Sequence, residues 1–347
     1  MSSRHSKPLA LWLFLILALL LLMIVLGGFT RLTESGLSMV NWHPVTGWLP
    51  PLNEMEWRHV FADYQKTPEY IKRNFGMTVK EFKSIFWLEY YHRLLGRVIG
   101  VFFFFPMVFF IYKGWIKGAF LLKISGLFFL GALQGLLGWY MVKSGLVDRP
   151  DVSQYRLAAH LGLALLIFSS VLWLVLDLLQ PKSIVAKSSG SSIRQLRRDS
   201  WVLLSLIFIT ILSGAFVAGL DAGKVYNTFP LMDGEIIPDG LWDLSPGFIN
   251  IFENIVTVQF DHRFLATSVI IFVVIFYCRT YQVKLTNSQR RSTNALLAAA
   301  FFQVGLGIST LLLVVPIFMA VMHQLGAVVL LAIAIWLAHE FSPNQSD

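Results

Sequence analysis

Four of the eight histidines stand at matched places along the chain, and two of them directly precede an arginine. His92 and Arg93 sit in "EYYHRLLGR" and His262 and Arg263 in "FDHRFLA"; His160 sits in "AAHLG" and His323 in "MHQLG". A neutral imidazole is a common metal ligand. Zinc wants three or four N, S or carboxylate ligands, which two histidine pairs and a single cysteine, Cys278, supply poorly. Two histidines facing each other from neighbouring helices suit the two axial positions of a heme iron. Ala158, Ala159 and Gly162 flank His160, and Gly326 and Ala327 follow His323, small residues that would let a flat macrocycle approach the backbone. Arg93 and Arg263 are then candidate partners for heme carboxylates, together with outward-pointing helix N-termini. His5, His43, His59 and His339 fall in tails or loops and are expected to be solvated bystanders.

One residue breaks the match. Glu89 stands three residues before His92 and four before Arg93, hence on the same helical face, whereas Gln259 holds the corresponding place before His262. A carboxylate can do acid–base work or stabilise charge near a substrate, while an amide cannot ionise. The contrast predicts one reactive site and one electron-handling site. A plain salt bridge from Glu89 to Arg93 is the competing reading of the acid.

The elements that must position these groups are membrane helices. The 347 residues are 56% hydrophobic and 14% charged, more apolar surface than a soluble core can hide. Runs near the ~20 residues that span hydrocarbon occur eight times. They cover roughly 9–29, 92–112, 119–141, 157–178, 201–220, 262–281, 293–313 and 316–338. The first lacks an A-x-A cleavage site and is read as a retained span, and the lack of an Arg- and Ser-rich presequence favours a bacterial origin. Residues 181–200 carry Lys182, Lys187, Arg194, Arg197 and Arg198 against Asp199, and 279–291 carries four bases and no acid. Residues 221–261 hold seven acids against Lys224. The positive-inside tendency then puts both termini in the cytoplasm and the histidines near the outer face. The net charge of +8 is a topology signal rather than a nucleic-acid footprint.

The spans repeat. "GGFTRL" from Gly27 matches "GAFVAG" from Gly214 at an offset of 187; His92 and His262 differ by 170, Gln134 and Gln303 by 169, His160 and His323 by 163. Four spans followed by four similar spans in the same orientation make a parallel repeat. The expected fold is an all-α integral membrane protein of eight transmembrane helices, arranged as two parallel-repeat four-helix bundles. Residues 1–180 form one half, the Ser-rich basic stretch 181–200 a cytoplasmic linker, and 201–347 the other half.

The motifs above, with "GGFTRLTESGLSMVNWHPVTGWLPP" and "NTFPLMDG" in the outer loops, resemble the heme A synthase family over nearly the whole chain. With no cysteine between residues 31 and 87, the chain is similar to the cysteine-free proteobacterial and mitochondrial branch, so thiol-based electron entry there is excluded. The resemblance implies oxidation of the C8 methyl of heme O to a formyl group by successive hydroxylation, giving heme A for terminal oxidases. It implies a heme b cofactor in the C-terminal half on His262 and His323, with Arg263 beside it. Substrate heme O would lie on His92 and His160 with Arg93, and Glu89 matches the family's catalytic carboxylate. A heme O synthase (protoheme farnesyltransferase) as substrate source and an electron partner complete the implied set, in a bacterial inner membrane with the heme sites near the periplasmic face. Two other readings use the same histidines: a di-heme electron conduit, disfavoured because all four ligands lie near one face, and a heme-handling chaperone, for which Glu89 would be incidental.

Overall fold

The computed structural model describes residues 3–42, 46–146, 152–179 and 191–342, and among them the chain is all-α. In chain order the helices are α1 (Ser3–Leu32), α2 (Glu54–Tyr64), α3 (Pro68–Lys72), α4 (Val79–Tyr112), α5 (Gly118–Gly145) and α6 (Gln154–Leu179). They continue with α7 (Ser191–Gly219), α8 (Asn250–Glu253), α9 (Ile255–Thr280), α10 (Asn287–Leu312) and α11 (Ile317–Phe341). All but α2, α3 and α8 are long and apolar enough to cross a bilayer, eight spans in all among the described residues. The protein is a multi-pass membrane protein.

Every expected span is present, but several begin earlier than hydropathy suggests. His92, expected at a helix start, lies thirteen residues inside α4, and His262 lies seven inside α9. Amphipathic outer turns explain the difference. Thr78 and Glu81 close a capping box, with Thr78 N donating to Glu81 Oε2 at 2.8 Å. Phe82, Phe86 and Tyr90 then recur every fourth residue and bury one stripe against Trp57, Phe61, Tyr64 and Tyr70 of α2 and α3. Trp57 meets Phe86 edge-on at 4.9 Å, and Tyr64 lies 5.0 Å from Phe82. At about 1.5–3 kcal/mol per buried large side chain, this stripe supports the helix where its other face is charged. The N-terminus of α9 is capped by Asn254, which accepts from Val256 N and Thr257 N. The N-terminal ends of α4 and α9 are therefore capped by their own residues, thirteen and seven residues before the histidines.

Packing divides the chain into one unit over Leu15–Ile167 and another joining Met1–Phe14 to Phe168–Asp347. The repeat shows in the backbone of each. α1 ends at Leu32 and α7 at Gly219, 187 apart. Two residues beyond, Glu34 and Asp221 both adopt left-handed φ of 51°, their N–H groups donating to Arg31 O and Ala218 O. α6 and α11 each place a histidine, His160 and His323, six residues after their first.

Two expectations change in the second unit. Residues 191–200, expected as linker, begin α7, where Asp199 is buried and pairs with Arg279 at 2.6 Å; residues 180–190 lie outside the described residues. His339, expected to be solvated, is 3% exposed on the last turn of α11. Its Nε2 lies 3.0 Å from Asp177 Oδ1, and Trp173 packs edge-on at 5.0 Å. The helix runs on through Phe341, so the fall in hydropathy there marks an inward-facing polar contact rather than a tail. His59 is exposed beside Asp63, His5 lies within α1, and His43 is outside the described residues.

Candidate active site

Each of the four matched histidines rests its ring against a glycine of the preceding span. A Cβ on Gly27 or Gly138 would come within 3.1 or 3.0 Å of Cε1 of His92 or His160. On Gly214 or Gly307 it would come within 3.1 or 2.9 Å of Cε1 of His262 or His323. A helix-interior glycine costs about 1 kcal/mol against alanine, so four at equivalent places signal a close approach. Gly27 and Gly214 open the repeated motifs quoted above, and Gly138 and Gly307 each stand four residues after the matched Gln134 and Gln303; helix periodicity alone does not mark them. Gly326, expected to make room for a macrocycle, instead admits the Gln303 side chain, whose Oε1 would lie 2.2 Å from a Cβ there.

The glutamines repeat as well. Gln303 Nε2 donates to the backbone carbonyl of His323 at 2.9 Å and lies 3.0 Å from its Nδ1. Gln134 does the same for His160 at 3.0 and 3.2 Å.

The first histidine of each pair is held differently. Ser213 Oγ donates its one hydrogen to the Thr210 carbonyl at 2.7 Å and lies 2.8 Å from His262 Nδ1. The hydroxyl must therefore accept from Nδ1–H, which fixes the tautomer with its lone pair on Nε2, the form of a metal ligand. The place equivalent to Ser213, 187 residues earlier, is Leu26, and His92 Nδ1 is buried without a hydrogen-bond partner.

The C-terminal pair has the spacing of an axial pair. The His262 and His323 rings are perpendicular with centroids 6.4 Å apart. An iron held by two opposed imidazoles at about 2 Å each puts the centroids roughly 6.3 Å apart. These residues fit a heme iron.

Glu89 is 2% exposed and surrounded by donors. Ser38 Oγ donates to Oε2 at 2.7 Å and Met39 N at 2.8 Å, while Arg93 Nη2 donates to Oε1 at 2.5 Å. Arg93 also donates to Met39 O at 2.8 Å and Asn41 O at 3.1 Å, locking the loop after α1 onto α4. In the other unit Gln259 Nε2 donates to Tyr226 O at 2.9 Å, and Arg263 donates to Tyr226 O at 2.7 Å and Thr228 O at 2.9 Å. Both arginines thus clamp a loop between helices, and Arg263 Nε is buried without a partner. Ser38 and Ser213 escape a reading of the sequence because their roles depend on contacts with distant helices.

A second acid lies in the outer cap. Glu69 is 2% exposed, Oε2 lacks a partner, and burial pushes its carboxyl up to about 7.

Residues 10–335 match the family model described as cytochrome oxidase assembly protein. The chain is 53% identical to the heme A synthase of Nitrosospira multiformis over 335 residues, covering 96% of this chain and 94% of the relative. It is 47% identical to the heme A synthase of Nitrosomonas eutropha, covering 98% and 95%. It is also 46% identical to heme A synthase COX15 of Bos taurus, covering 91% and 78%. With its eight spans, matched histidines and a donor-ringed carboxylate beside one pair, the chain belongs to the heme A synthase family.

Proposed function

We propose that the protein oxidises the C8 methyl of heme O to a formyl group, with heme O held by His92 and His160 and a resident heme b by His262 and His323. The Ser213 contact carries the assignment of the two sites. A ligand with its tautomer fixed before metal arrives suits a cofactor that stays, and a ring with an unpartnered Nδ1 suits a substrate that comes and goes. When bound, the resident heme supplies one-electron transfer.

The protein's own groups do the rest. Three donors converge on Glu89, using three of roughly four lone-pair sites on the carboxylate. Oxidation at a methyl carbon develops positive charge and releases protons. A fixed carboxylate stabilises the first and, through its remaining lone pair, accepts the second. Arg93 keeps the carboxylate in place, and Arg263, with its buried Nε, is the counterpart toward the cofactor's carboxylates. The salt bridge to Arg93 is part of this device.

Further proposals follow the charge pattern. Residues 1–180 and 201–347 act as substrate and cofactor halves. Both termini are cytoplasmic in a bacterial inner membrane, with the acidic 221–261 segment and the heme sites toward the periplasm. Heme O comes from a heme O synthase, and a separate electron partner serves the resident heme. The test is pigment extraction after adding heme O and a redox mediator, in air, to the purified, heme-loaded protein. A formyl-bearing product is expected; an electron carrier or heme chaperone would return heme O unchanged.

A further inference from the structure

A cleft of about 430 Å³ opens beside Arg93 in the Leu15–Ile167 unit. Its lining includes Trp42, Arg93, Trp139 and Lys143. The two indoles lie 5.8 Å apart at 36°, and Lys143 Nζ sits 5.2 Å from the Trp139 ring. Both helical walls continue from residues of the histidine pair. Arg93 directly follows His92 on α4, and Trp139 directly follows Gly138, the glycine under the His160 ring. Lys143 stands five residues beyond Gly138, ~7.5 Å along α5, comparable to the distance from a heme iron to its peripheral carboxylates. The Arg93 charge is matched by Glu89 and its donors are turned to two loop carbonyls. Lys143 therefore gives the lining side chains their net positive charge.

We propose that this cleft is the carboxylate subsite of the substrate heme, with Lys143 pairing one propionate while Trp42 and Trp139 flank its methylene arm. The proposal rests on the assignment of heme O to His92 and His160. It narrows which methyl is oxidised to the two, at C5 and C8, that neighbour a propionate-bearing carbon. A heme turned about its axial bonds presents any edge to a fixed acid, so axial ligation alone selects none. The C8 methyl neighbours a propionate-bearing carbon on the ring. Holding that propionate on Lys143, in a cleft that Arg93 also lines, brings the C8 methyl toward Glu89, which is bonded to Arg93 and so lies on the same side.

The test compares heme O with its dimethyl ester as substrates of the intact, heme-loaded protein, for wild type, Lys143→Gln and Lys143→Arg. Binding is followed by absorption titration and products by chromatography. Wild type is expected to bind and convert the free acid about tenfold better than the ester. Lys143→Gln should weaken free-acid binding by a similar factor and leave the ester unaffected, while Lys143→Arg restores the preference. The low-spin spectrum of the resident heme should be the same in all three, showing that each is folded. Equal treatment of acid and ester by wild type would overturn the subsite, as would equal losses on both in Lys143→Gln. A Lys143→Gln defect that appears only in vesicles containing anionic lipid would reassign the lysine to a headgroup and also overturn it. A wild-type protein that converts neither substrate would defeat the functional reading itself, and the subsite with it.

Discussion

The two histidine pairs share a scaffold and differ in how tightly it prepares them. In both, a glycine on the preceding span receives each ring, a glutamine holds the second histidine, and an arginine after the first clamps a loop between helices. At the C-terminal pair Ser213 orients His262, and Gln259 faces the Tyr226 carbonyl as a donor. At the N-terminal pair Leu26 leaves His92 Nδ1 without a partner, and Glu89 receives donors. The polarity three residues before the histidine is thus inverted between the halves. On the proposed assignment, two side chains decide whether one set of helices retains a heme or presents a heme edge to a carboxylate.

The largest expected effect separates the pairs outright. His262→Ala and His323→Ala should each remove or severely disturb the low-spin b-type spectrum of the purified protein. His92→Ala and His160→Ala should keep most of that spectrum and lose conversion of heme O. The reverse pattern would exchange the halves, and unchanged spectra in both C-terminal variants would break the comparison altogether.

Exchanging the inverted residues comes next. Glu89→Gln should leave both heme sites loaded and lower conversion per bound heme about 10²-fold or more, with Glu89→Asp recovering part. Gln259→Glu should create no second reactive site. It turns a carboxylate on the Tyr226 carbonyl in place of a donor, an unsatisfied contact costing about 1–3 kcal/mol, visible as a lower melting temperature. Wild-type turnover in a folded Glu89→Gln protein would end the catalytic role of that acid.

A smaller effect is expected at the tautomer lock. Ser213→Ala should weaken retention of the resident heme roughly 10–100-fold in competition with a heme scavenger, with the optical spectrum intact once reloaded. Leu26→Ser should do the converse at His92, slowing heme release from the N-terminal site. Unaltered retention in Ser213→Ala would leave nothing to distinguish the C-terminal pair as the cofactor site.

The smallest effect lies in the outer cap. Burial raises the Glu69 carboxyl from 4.5 to about 7, so the folded state holds this proton more tightly than the unfolded state. Its contribution to stability is best below about pH 4.5, falls as pH rises toward 7, and is level above that, at ~1.4 kcal/mol per unit of pKa. Glu69→Gln should flatten that fall, measured as protease resistance of the α2–α3 cap between pH 5 and about 8. A wild-type cap whose resistance does not change over that range would remove the buried-acid reading.

Much of this arrangement can be read along the chain. Apolar runs near 20 residues yield eight spans because the bilayer leaves few other solutions, and repeat offsets pick out four of eight histidines because matched helices need matched ligands. The Glu89/Gln259 contrast is a difference in residue type, so it too is visible in one dimension. Hydropathy places the starts of α4 and α9 too late. In α4 it does not detect an amphipathic extension whose apolar stripe, Phe82, Phe86 and Tyr90, is covered by α2 and α3.

Composition, period and residue chemistry suffice for the class of fold, the number of crossings, the paired histidines and the one carboxylate without a twin. Folding had to establish that Ser213 fixes the tautomer of His262, that Ser38 and Met39 donate to Glu89, and that His339 is a buried partner of Asp177. These are hydrogen bonds between residues tens to more than a hundred positions apart. Such bonds act over about 3 Å, and only the folded chain brings those distant residues that close.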